Sequence, residues 1–347
     1  MYDLEMSDEE DNSLYDEILL NKYKVLYKLG GGSFSRVYNV QDMESKNYFT
    51  AKLEKIDLSH NLLEREAGLT KRLNAIGLPQ FKSYGHNDKY NILIMELLGQ
   101  SLEQLLLFQN NKFSIKTACM LGIQMVDRIE YIHYKKIIHR DLKPANCAMG
   151  LESKSHILYI IDFGLSTKYW NTKHNCHIPF KKAITFVGNA RFCSVNASRR
   201  FQVSRRDDLE SIGYLIIFLI KGALPWSAIK ASNYNDLFKK ICEKKTITSV
   251  KELCNDLPSE LGTFISYTRN LEFTEAPDYN YLRYLLKNIL KKSGFTIDFN
   301  YDWSYKKPNI KSNDPIFTKN IIKYDKSKEW LFNSECDKND CIGMDLL

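Results

Sequence analysis

The sequence predicts an α+β protein with two lobes, a small β-rich lobe on the N-terminal side and a larger helical lobe after it. Its 347 residues are more than one ordinary hydrophobic core needs, and two lobes account for the length. Hydrophobic residues make up 44% and charged residues 26%, the balance of a globular chain that can bury a sizeable core. The third observation is the hydrophobic pattern, which changes from alternation to helical spacing after Gly99.

The small lobe is expected to span residues 22–98. Residues 22–58 alternate as strands do, residues 61–76 have helical spacing, and residues 79–97 return to a strand pattern. A hinge between the lobes is expected near Leu97–Gln100.

The helical lobe is expected to span residues 99–305, and its clearest helix carries apolar residues at steps of three and four from Ile115 to Ile132. Further helices are predicted over residues 205–222, 233–245, 257–268 and 278–292. An acidic disordered leader is expected over residues 1–21 and a Lys- and Asn-rich tail over residues 306–347.

The formal net charge of +7 conceals an uneven distribution. Residues 1–21 contain eight acidic residues and no Lys or Arg, so the remaining 326 residues carry +15. A body this basic favours an anionic partner such as nucleic acid, phosphate or an acidic peptide, and a solvated basic surface is the alternative. No basic motif interleaved with aromatic residues supports nucleic acid, so a nucleic-acid partner is not expected.

Several classes of protein are excluded. The longest apolar run, Tyr214–Ile220, is far too short for a membrane span. The eight cysteines form no C-x-x-C pair, which predicts free thiols in a reducing compartment. The acidic N-terminus lacks the features of a signal or transit peptide. We therefore expect a cytoplasmic or nuclear protein, with a monomer favoured.

Three glycines, Gly30–Gly32, stand between two predicted strands in the segment Leu29–Tyr38. Glycine lets backbone N–H groups approach a phosphate without side chains in the way. Such a loop alone is equally typical of a flexible hairpin turn. A dinucleotide-binding βαβ unit is excluded here, because a strand follows the loop instead of a helix.

Lys52 ends the strand after the glycine loop and could reach phosphate oxygens if an acid held it in place. Glu66 on the following helix is the candidate acid, because its register predicts that it faces the interior of the lobe. Glu54 and Glu64 are its competitors.

The most specific signal is a catalytic-loop pattern that ends at Asn146, followed by an Asp-Phe-Gly triplet that begins at Asp162. Asp141 could accept a proton from a substrate hydroxyl, and Lys143 could neutralise charge on a transferred phosphoryl group. Asn146 and Asp162 offer the hard oxygen ligands that Mg²⁺ prefers.

The chain resembles a eukaryotic protein kinase over residues 22–305, and within that group it is similar to the casein kinase 1 family. A trait of this family is Ser194-Val-Asn196, which stands where most kinases carry Ala-Pro-Glu. Asn146–Gly150 is also similar to the tau-tubulin kinase branch, so two branches stay open. The other segments of the narrower resemblance are Met95–Glu103, Arg128–His133, Ser204–Tyr214, Leu224–Trp226, Glu275–Arg283 and Tyr301–Trp303.

This resemblance implies a Ser/Thr protein kinase that binds ATP and Mg²⁺ between its lobes and phosphorylates acidic or pre-phosphorylated proteins. The catalytic residues would be Lys52, Glu66, Asp141 and Lys143. The metal ligands would be Asn146 and Asp162. Met95 would be the gatekeeper residue and Glu96 to Leu98 the adenine-binding hinge. The residues implied to bind ATP are Leu29, Gly30, Gly31, Gly32, Ser33, Phe34, Val37, Thr50, Lys52, Met95, Glu96, Leu98, Ala148 and Ile161.

The resemblance also implies two sites around the catalytic loop. Arg191, Gly222 and Lys230 match an anion pocket that receives a phosphate or an acidic side chain of the substrate. Asp208 matches a structural acid that braces the catalytic loop.

Four residues depart from the family pattern, namely Ser35, Thr50, Ala148 and Asn189. Thr50 and Ala148 change the shape and polarity of the nucleotide slot. Asn189 replaces a Thr that hydrogen-bonds towards the catalytic Asp and Lys. A pseudokinase that acts as a binding scaffold is therefore the alternative function.

Overall fold

The computed structural model describes residues 14–31, 35–56, 62–182 and 186–304. These residues fold into two compact units. The first unit takes the chain up to Gln100 together with Ala148–Ser166, and the second takes Ser101–Cys147 and the chain from Thr167 onward. The tail predicted over residues 306–347 lies outside the described residues.

An antiparallel sheet dominates the first unit. Its elements are β1 (Ile18–Leu19), β2 (Tyr23–Gly31), β3 (Arg36–Asp42), β4 (Tyr48–Lys55), helix α1 (Leu62–Arg72), β5 (Phe81–His86) and β6 (Tyr90–Glu96). The six strands lie in the order β1-β2-β3-β4-β6-β5. Alternate residues such as Tyr38, Ala51 and Ile94 form the buried face. The strands and helix predicted for residues 22–97 are confirmed.

The first unit begins before residue 22. Leu14 and Leu19 belong to the same buried core as Val25 and Val40, and β1 pairs with β2. The disordered leader expected over residues 1–21 is therefore wrong for residues 14–21, because their apolar side chains pack against the sheet. Residues 1–13 lie outside the described part of the chain.

Ala148–Ser166 joins the first unit, although the sequence pattern assigns it to the helical lobe. Gly99 N donates a hydrogen bond to Met149 O (2.8 Å), and Met149 N donates one to Gln100 O (2.9 Å). These backbone bonds attach the segment to the end of the sheet. The segment contains most of β8 (Cys147–Met149) and all of β9 (Leu158–Ile160), which pair with each other.

The second unit is mainly helical. Its helices are α2 (Leu102–Phe108), α3 (Ile115–Tyr134), α4 (Val195–Ser198), α5 (Arg205–Lys221), α6 (Tyr234–Ile247), α7 (Val250–Leu253), α8 (Ser259–Asn270) and α9 (Tyr279–Lys292). Its short strands are β7 (Ile137–Ile138), β10 (Thr167–Lys168), β11 (Trp170–Asn171) and β12 (Cys176–His177). The five helices predicted from periodicity are confirmed to within a few residues.

The last described segment caps the start of α3. Asp302 accepts hydrogen bonds from Ser114 N (2.6 Å), Ser114 Oγ (2.7 Å) and Thr117 Oγ1 (2.9 Å). Trp303 packs on Phe113 with ring centroids 5.1 Å apart. A carboxylate at this end of a helix satisfies N–H groups that would otherwise lack partners.

None of the helices in the described ranges is long and apolar enough to cross a membrane. The six cysteines within those ranges are free thiols, as the sequence predicts. Burial raises the pKa of Cys119 and Cys147 to about 12, so both stay protonated at neutral pH.

We expect Leu19→Ala to lower the free energy of unfolding by about 2–3 kcal/mol, because it empties a buried position in the sheet core. Leu19 is 1% exposed whereas its neighbour Ile18 is 50% exposed, so Ile18→Ala is the matched control. The control should cost less than about 1 kcal/mol. Urea denaturation of the full chain measures both. Equally small losses would show that residues 14–21 are a leader.

Candidate active site

Lys52 lies on β4 and reaches two carboxylates of the first unit. Its Nζ is 2.7 Å from Oε2 of Glu66 and 2.9 Å from Oδ1 of Asp162. Burial alone would lower the pKa of Lys52, but Asp162 and Glu66 outweigh it and raise the pKa above its ordinary value. The lysine therefore stays charged, and the structure brings these three predicted residues together.

The register of α1 selects Glu66 from the three candidate acids. The helix packs on the sheet through Leu63, and Glu66 lies on the same buried side while Glu64 is exposed. Glu54 accepts a hydrogen bond from Leu63 N (3.1 Å) at the first turn of the helix. Burial raises the pKa of Glu66, and the charge of Lys52 opposes that rise.

Asp162 has an uncommon backbone conformation, with φ at +66°. Its Oδ1 contacts Lys52 and also accepts a 3.4 Å hydrogen bond from Gly164 N. The side chain is 40% exposed, so a ligand can reach this carboxylate while Lys52 holds one of its oxygens.

The described residues expected to contact the nucleotide all belong to the first unit. Gly30 pairs with Val37 across the β2–β3 hairpin, and Thr50 pairs with Met95 across β4 and β6. The others are Leu29 and Gly31 on β2, Leu98 and Ile161, which are partly exposed, and Ala148, which is buried. Gly32, Ser33 and Phe34 lie outside the described residues.

The side chain of Glu96 is held by partners that the sequence analysis missed. Its Oε1 lies 2.5 Å from Lys154 Nζ and accepts a 3.3 Å hydrogen bond from Tyr159. Its Oε2 accepts a hydrogen bond from Gln80 N (3.2 Å). The carboxylate therefore fastens the end of β6 to the Ala148–Ser166 segment.

Asp141 is buried in the catalytic-loop segment of the second unit. Lys143 Nζ lies 3.0 Å from Oδ2 of Asp141. Asn146 Nδ2 donates to both the backbone oxygen (2.8 Å) and Oδ2 (2.9 Å) of Asp141. A cation and an amide thus fix the orientation of one carboxylate.

The orientation of the Asn146 amide fits it to hold a metal ion. Its Nδ2 is turned to Asp141, and within the described ranges its Oδ1 receives no hydrogen bond. Asn146 Oδ1 and the Asp162 carboxylate, each in its own unit, are hard oxygen donors of the kind Mg²⁺ takes. No cluster of three or more His, Cys, Asp or Glu among the described residues is arranged to hold a metal. Each of these oxygens, taken singly, fits a hard cation.

Asp208, at the first turn of α5, holds the backbone of the catalytic loop. Its Oδ2 accepts a hydrogen bond from His139 N (2.7 Å) and its Oδ1 accepts one from Arg140 N (2.9 Å). His133 Nε2 lies 2.9 Å from Oδ2. Burial would raise the pKa of Asp208, but the bonds from His133 and His139 lower it.

Gly188 and Asn189 lie beside this loop. Gly188 has φ at +107°, and a Cβ there would overlap the carbonyl oxygen of Arg140, so the position requires glycine. Asn189 Oδ1 accepts hydrogen bonds from Arg191 N (2.9 Å) and Phe192 N (3.3 Å). The amide oxygen of Asn189 is therefore used within its own loop.

The three residues of the predicted anion pocket have different environments. Burial lowers the pKa of Arg191 to about 10, and the nearby Glu103 opposes this. Gly222 ends α5 with φ at +78°, which explains a glycine there as a helix cap. Lys230 is exposed. Trp226 Nε1 donates to Arg191 O (2.7 Å), which attaches the loop after α5 to this segment.

Glu103 is a site residue that the sequence analysis missed. Burial raises its pKa to about 7, and the charges of Lys143 and Arg191 pull it down. Two residues expected to meet anions therefore both act electrostatically on one partly exposed carboxylate. Its place in the first turn of a helix capped by Ser101 was the only signal in the sequence.

Lys245 is a second missed residue. It is fully buried, and its Nζ donates to Ala190 O (2.9 Å) and Cys193 O (2.5 Å). The ammonium also lies 5.1 Å from the centre of the Trp226 ring. The lysine thus fixes the backbone on both sides of Arg191.

The burial of His133 predicts a pH dependence of stability. Burial lowers the pKa of His133 below its ordinary 6.5, although the bond to Asp208 opposes this, so the folded protein holds it neutral. The unfolded chain takes up a proton below pH 6.5, and His133 therefore costs stability as the pH falls through 6.5.

We expect the free energy of unfolding to rise more steeply with pH in the wild type than in His133→Asn between pH 5.5 and about 6.5. The difference in slope should approach about 1.4 kcal/mol per pH unit. Titrating groups away from His133, such as Glu103, are common to both proteins and cancel, and the asparagine of the variant can still donate to Asp208. Urea denaturation at each pH measures the slope of the unfolding free energy against pH, and His86→Asn, at an exposed histidine, is the control. Identical slopes for wild type and His133→Asn would contradict it.

The comparison with known families agrees with this geometry. The sequence matches the family model of the protein kinase domain over residues 23–293. The predicted α+β fold, with a β-rich N-terminal region and a helical C-terminal region, is confirmed. Since the match spans well over half of the chain, this protein belongs to the protein kinase domain family.

Proposed function

We propose that this chain is an active Ser/Thr protein kinase of the casein kinase 1 type, which transfers the γ-phosphoryl group of ATP to acidic or pre-phosphorylated proteins. The observation that carries the proposal is the Asp141 carboxylate, held by Lys143 and Asn146 in the second unit. The sequence also keeps Lys52, Glu66 and Asp162, and in the first unit Lys52 contacts both carboxylates.

Asp141 serves as the base for the substrate hydroxyl. Lys143 and Asn146 hold its Oδ2, so the carboxylate is oriented before a substrate arrives. The proton of the Ser or Thr hydroxyl passes to this carboxylate as the oxygen attacks phosphorus. Lys143 also places a positive charge where negative charge develops on the transferred group.

Lys52 serves the phosphates of the nucleotide. Glu66 is buried and holds the lysine on its sheet strand, so the ammonium is charged and fixed in position. When bound, ATP supplies the phosphoryl group and Mg²⁺ neutralises phosphate oxygens. Asn146 and Asp162 would hold the metal.

The finer parts of the proposal rest on the sequence. Lys143, two residues after Asp141, agrees with a Ser/Thr kinase, and Ser194-Val-Asn196 agrees with the casein kinase 1 type. Arg191 and Lys230 supply cations for an acidic or phosphorylated residue of the substrate. The nearby Glu103 favours the charged form of Arg191.

We expect Asp141→Asn to reduce phosphate transfer to an acidic Ser peptide by about 10²- to 10⁴-fold, the usual contribution of a positioned general base. Transfer from radiolabelled ATP measures the rate, and nucleotide affinity should be unchanged because Asp141 does not belong to the nucleotide-binding set. Equal rates, or no transfer by the wild type, would favour the pseudokinase.

We expect Glu66→Gln to reduce kcat at least about tenfold, because Lys52 loses the charge that holds it and one ordered contact. Glu64→Gln, two residues earlier on the exposed side of α1, is the matched control and should leave kcat unchanged. Steady-state kinetics at saturating ATP separates them. If Glu66→Gln and Glu64→Gln lower kcat equally, Glu66 would contribute only to the stability of α1.

A further inference from the structure

A surface cavity of about 670 Å³ in the second unit has no part in the proposed reaction. A cavity of this size can hold one or two side chains of a partner. None of its lining residues belongs to the catalytic loop or the predicted anion pocket. The lining residues are Lys182, Ser198, Arg199, Arg200, Asn235, Phe238, Lys239, Cys242 and Glu243.

The floor of the cavity is apolar. Phe238 on α6 is 8% exposed and packs on Phe186, with ring centroids 4.5 Å apart. Tyr234 stacks on its other side at 6.4 Å. Cys242 Sγ contacts Ser198 O (3.2 Å), which attaches the helix to the wall of the cavity. The floor is therefore held by contacts that do not need a ligand.

The rim of the cavity is positively charged. Lys182, Arg199, Arg200 and Lys239 are all exposed, and Glu243 is the one acidic residue in the lining. In the described ranges none of the four cations lies within 4.0 Å of a carboxylate, whereas Lys240, next to Lys239, pairs with Asp236 (2.8 Å). An exposed cluster of uncompensated cations attracts an anionic partner.

Arg200 is held in place at a cost in backbone energy. Its φ is +61°, a left-handed conformation that is unfavourable for a residue other than glycine. Its guanidinium lies 5.9 Å from the centre of the Phe238 ring, at the edge of the apolar floor. Glycine would adopt this φ without strain, so the reason for an arginine at this position is its guanidinium group.

The cavity also adjoins the segment that follows the Asp-Phe-Gly triplet. Lys182 pairs with Phe201 in an isolated β-bridge, and Gln202 N donates to Lys181 O (2.9 Å). The cationic rim therefore includes the part of that segment that ends at Lys182.

We propose that this cavity docks an acidic segment of a protein substrate that carries one apolar side chain, an inference that rests on the proposed kinase function. The apolar side chain sits on Phe238, and flanking carboxylates meet the four rim cations. A single-stranded nucleic acid is a poorer fit, because successive bases need several aromatic faces for stacking and Phe238 is the one aromatic residue among the described residues of the lining.

Fluorescence anisotropy of the full chain with a labelled acidic peptide containing one central Phe tests this without any phosphate transfer. Arg200→Gly removes a cation and relaxes the backbone, so the fold is retained. Together with Lys239→Gln it should weaken binding by about tenfold, since each partly exposed ion pair contributes up to about fivefold. Lys287→Gln, an exposed lysine of α9 outside the cavity, is the control and should bind as the wild type does.

Two further arms decide the chemistry of the ligand. Replacing the Phe of the peptide by Ser should weaken binding several-fold, and added salt should weaken it further. Equal affinity of the wild type and the double variant, or of the Phe and Ser peptides, would overturn the proposal. Tighter binding of a single-stranded oligonucleotide of equal charge would also overturn it.

Kinetics separates this site from the proposed function. In the double variant the KM for a substrate that carries the acidic segment with its apolar side chain should rise, with kcat unchanged. The KM for a short substrate without that segment should stay the same. Peptide binding without any phosphate transfer would contradict the kinase proposal and still support an acidic-peptide site. Transfer with an unchanged KM would contradict the docking site alone.

Discussion

One buried carboxylate fixes the shape of the catalytic loop. Asp208 takes the backbone N–H groups of His139 and Arg140 on its two oxygens, and His133 contacts it as well. A buried carboxylate without such donors would cost several kcal/mol, so the fold must bring all three together. The loop that carries Asp141 then has little conformational freedom, and its position is set by the two buried helices α3 and α5.

Unfavourable backbone conformations occur in the loop that Asp208 holds and also at Asp162 in the first unit. Arg140 has φ at +71° and Asp162 has φ at +66°, and Gly188 lies so close to Arg140 O that no side chain fits. Each strained residue costs about 1–3 kcal/mol and persists only because surrounding contacts fix it. Strain here occurs at Asp162, which we propose as a metal ligand, and next to Asp141, which we propose as the base.

Hydrophobic periodicity was sufficient to predict the main elements, because helices such as α1 and α9 bury one regular face. It also separated Glu66 from Glu64, since two positions on a helix point to different sides. It could not show that Leu14 and Leu19 belong to the sheet, because acidic neighbours make that short segment look like a solvated leader.

Contacts between residues far apart in the chain could not be predicted from the sequence pattern. Lys245 looks like one more lysine of a basic helix, and only the fold shows that it is buried against Ala190 O and Cys193 O. Glu103 looks like an ordinary helix-start acid until Arg191 is placed near it. In both cases the partner lies more than fifty residues away, and no local preference encodes it.

The kcat of Asp208→Asn, measured with saturating ATP and an acidic Ser peptide, tests this account most directly. Asparagine keeps the shape of the side chain but loses the charge and one of the two acceptors that hold the loop. We predict a fall in kcat of about 10- to 100-fold, as expected when a catalytic group is misplaced by about 1 Å. Asp302→Asn, which alters the cap of α3, should stay within about twofold. A folded Asp208→Asn protein with wild-type kcat would contradict the account.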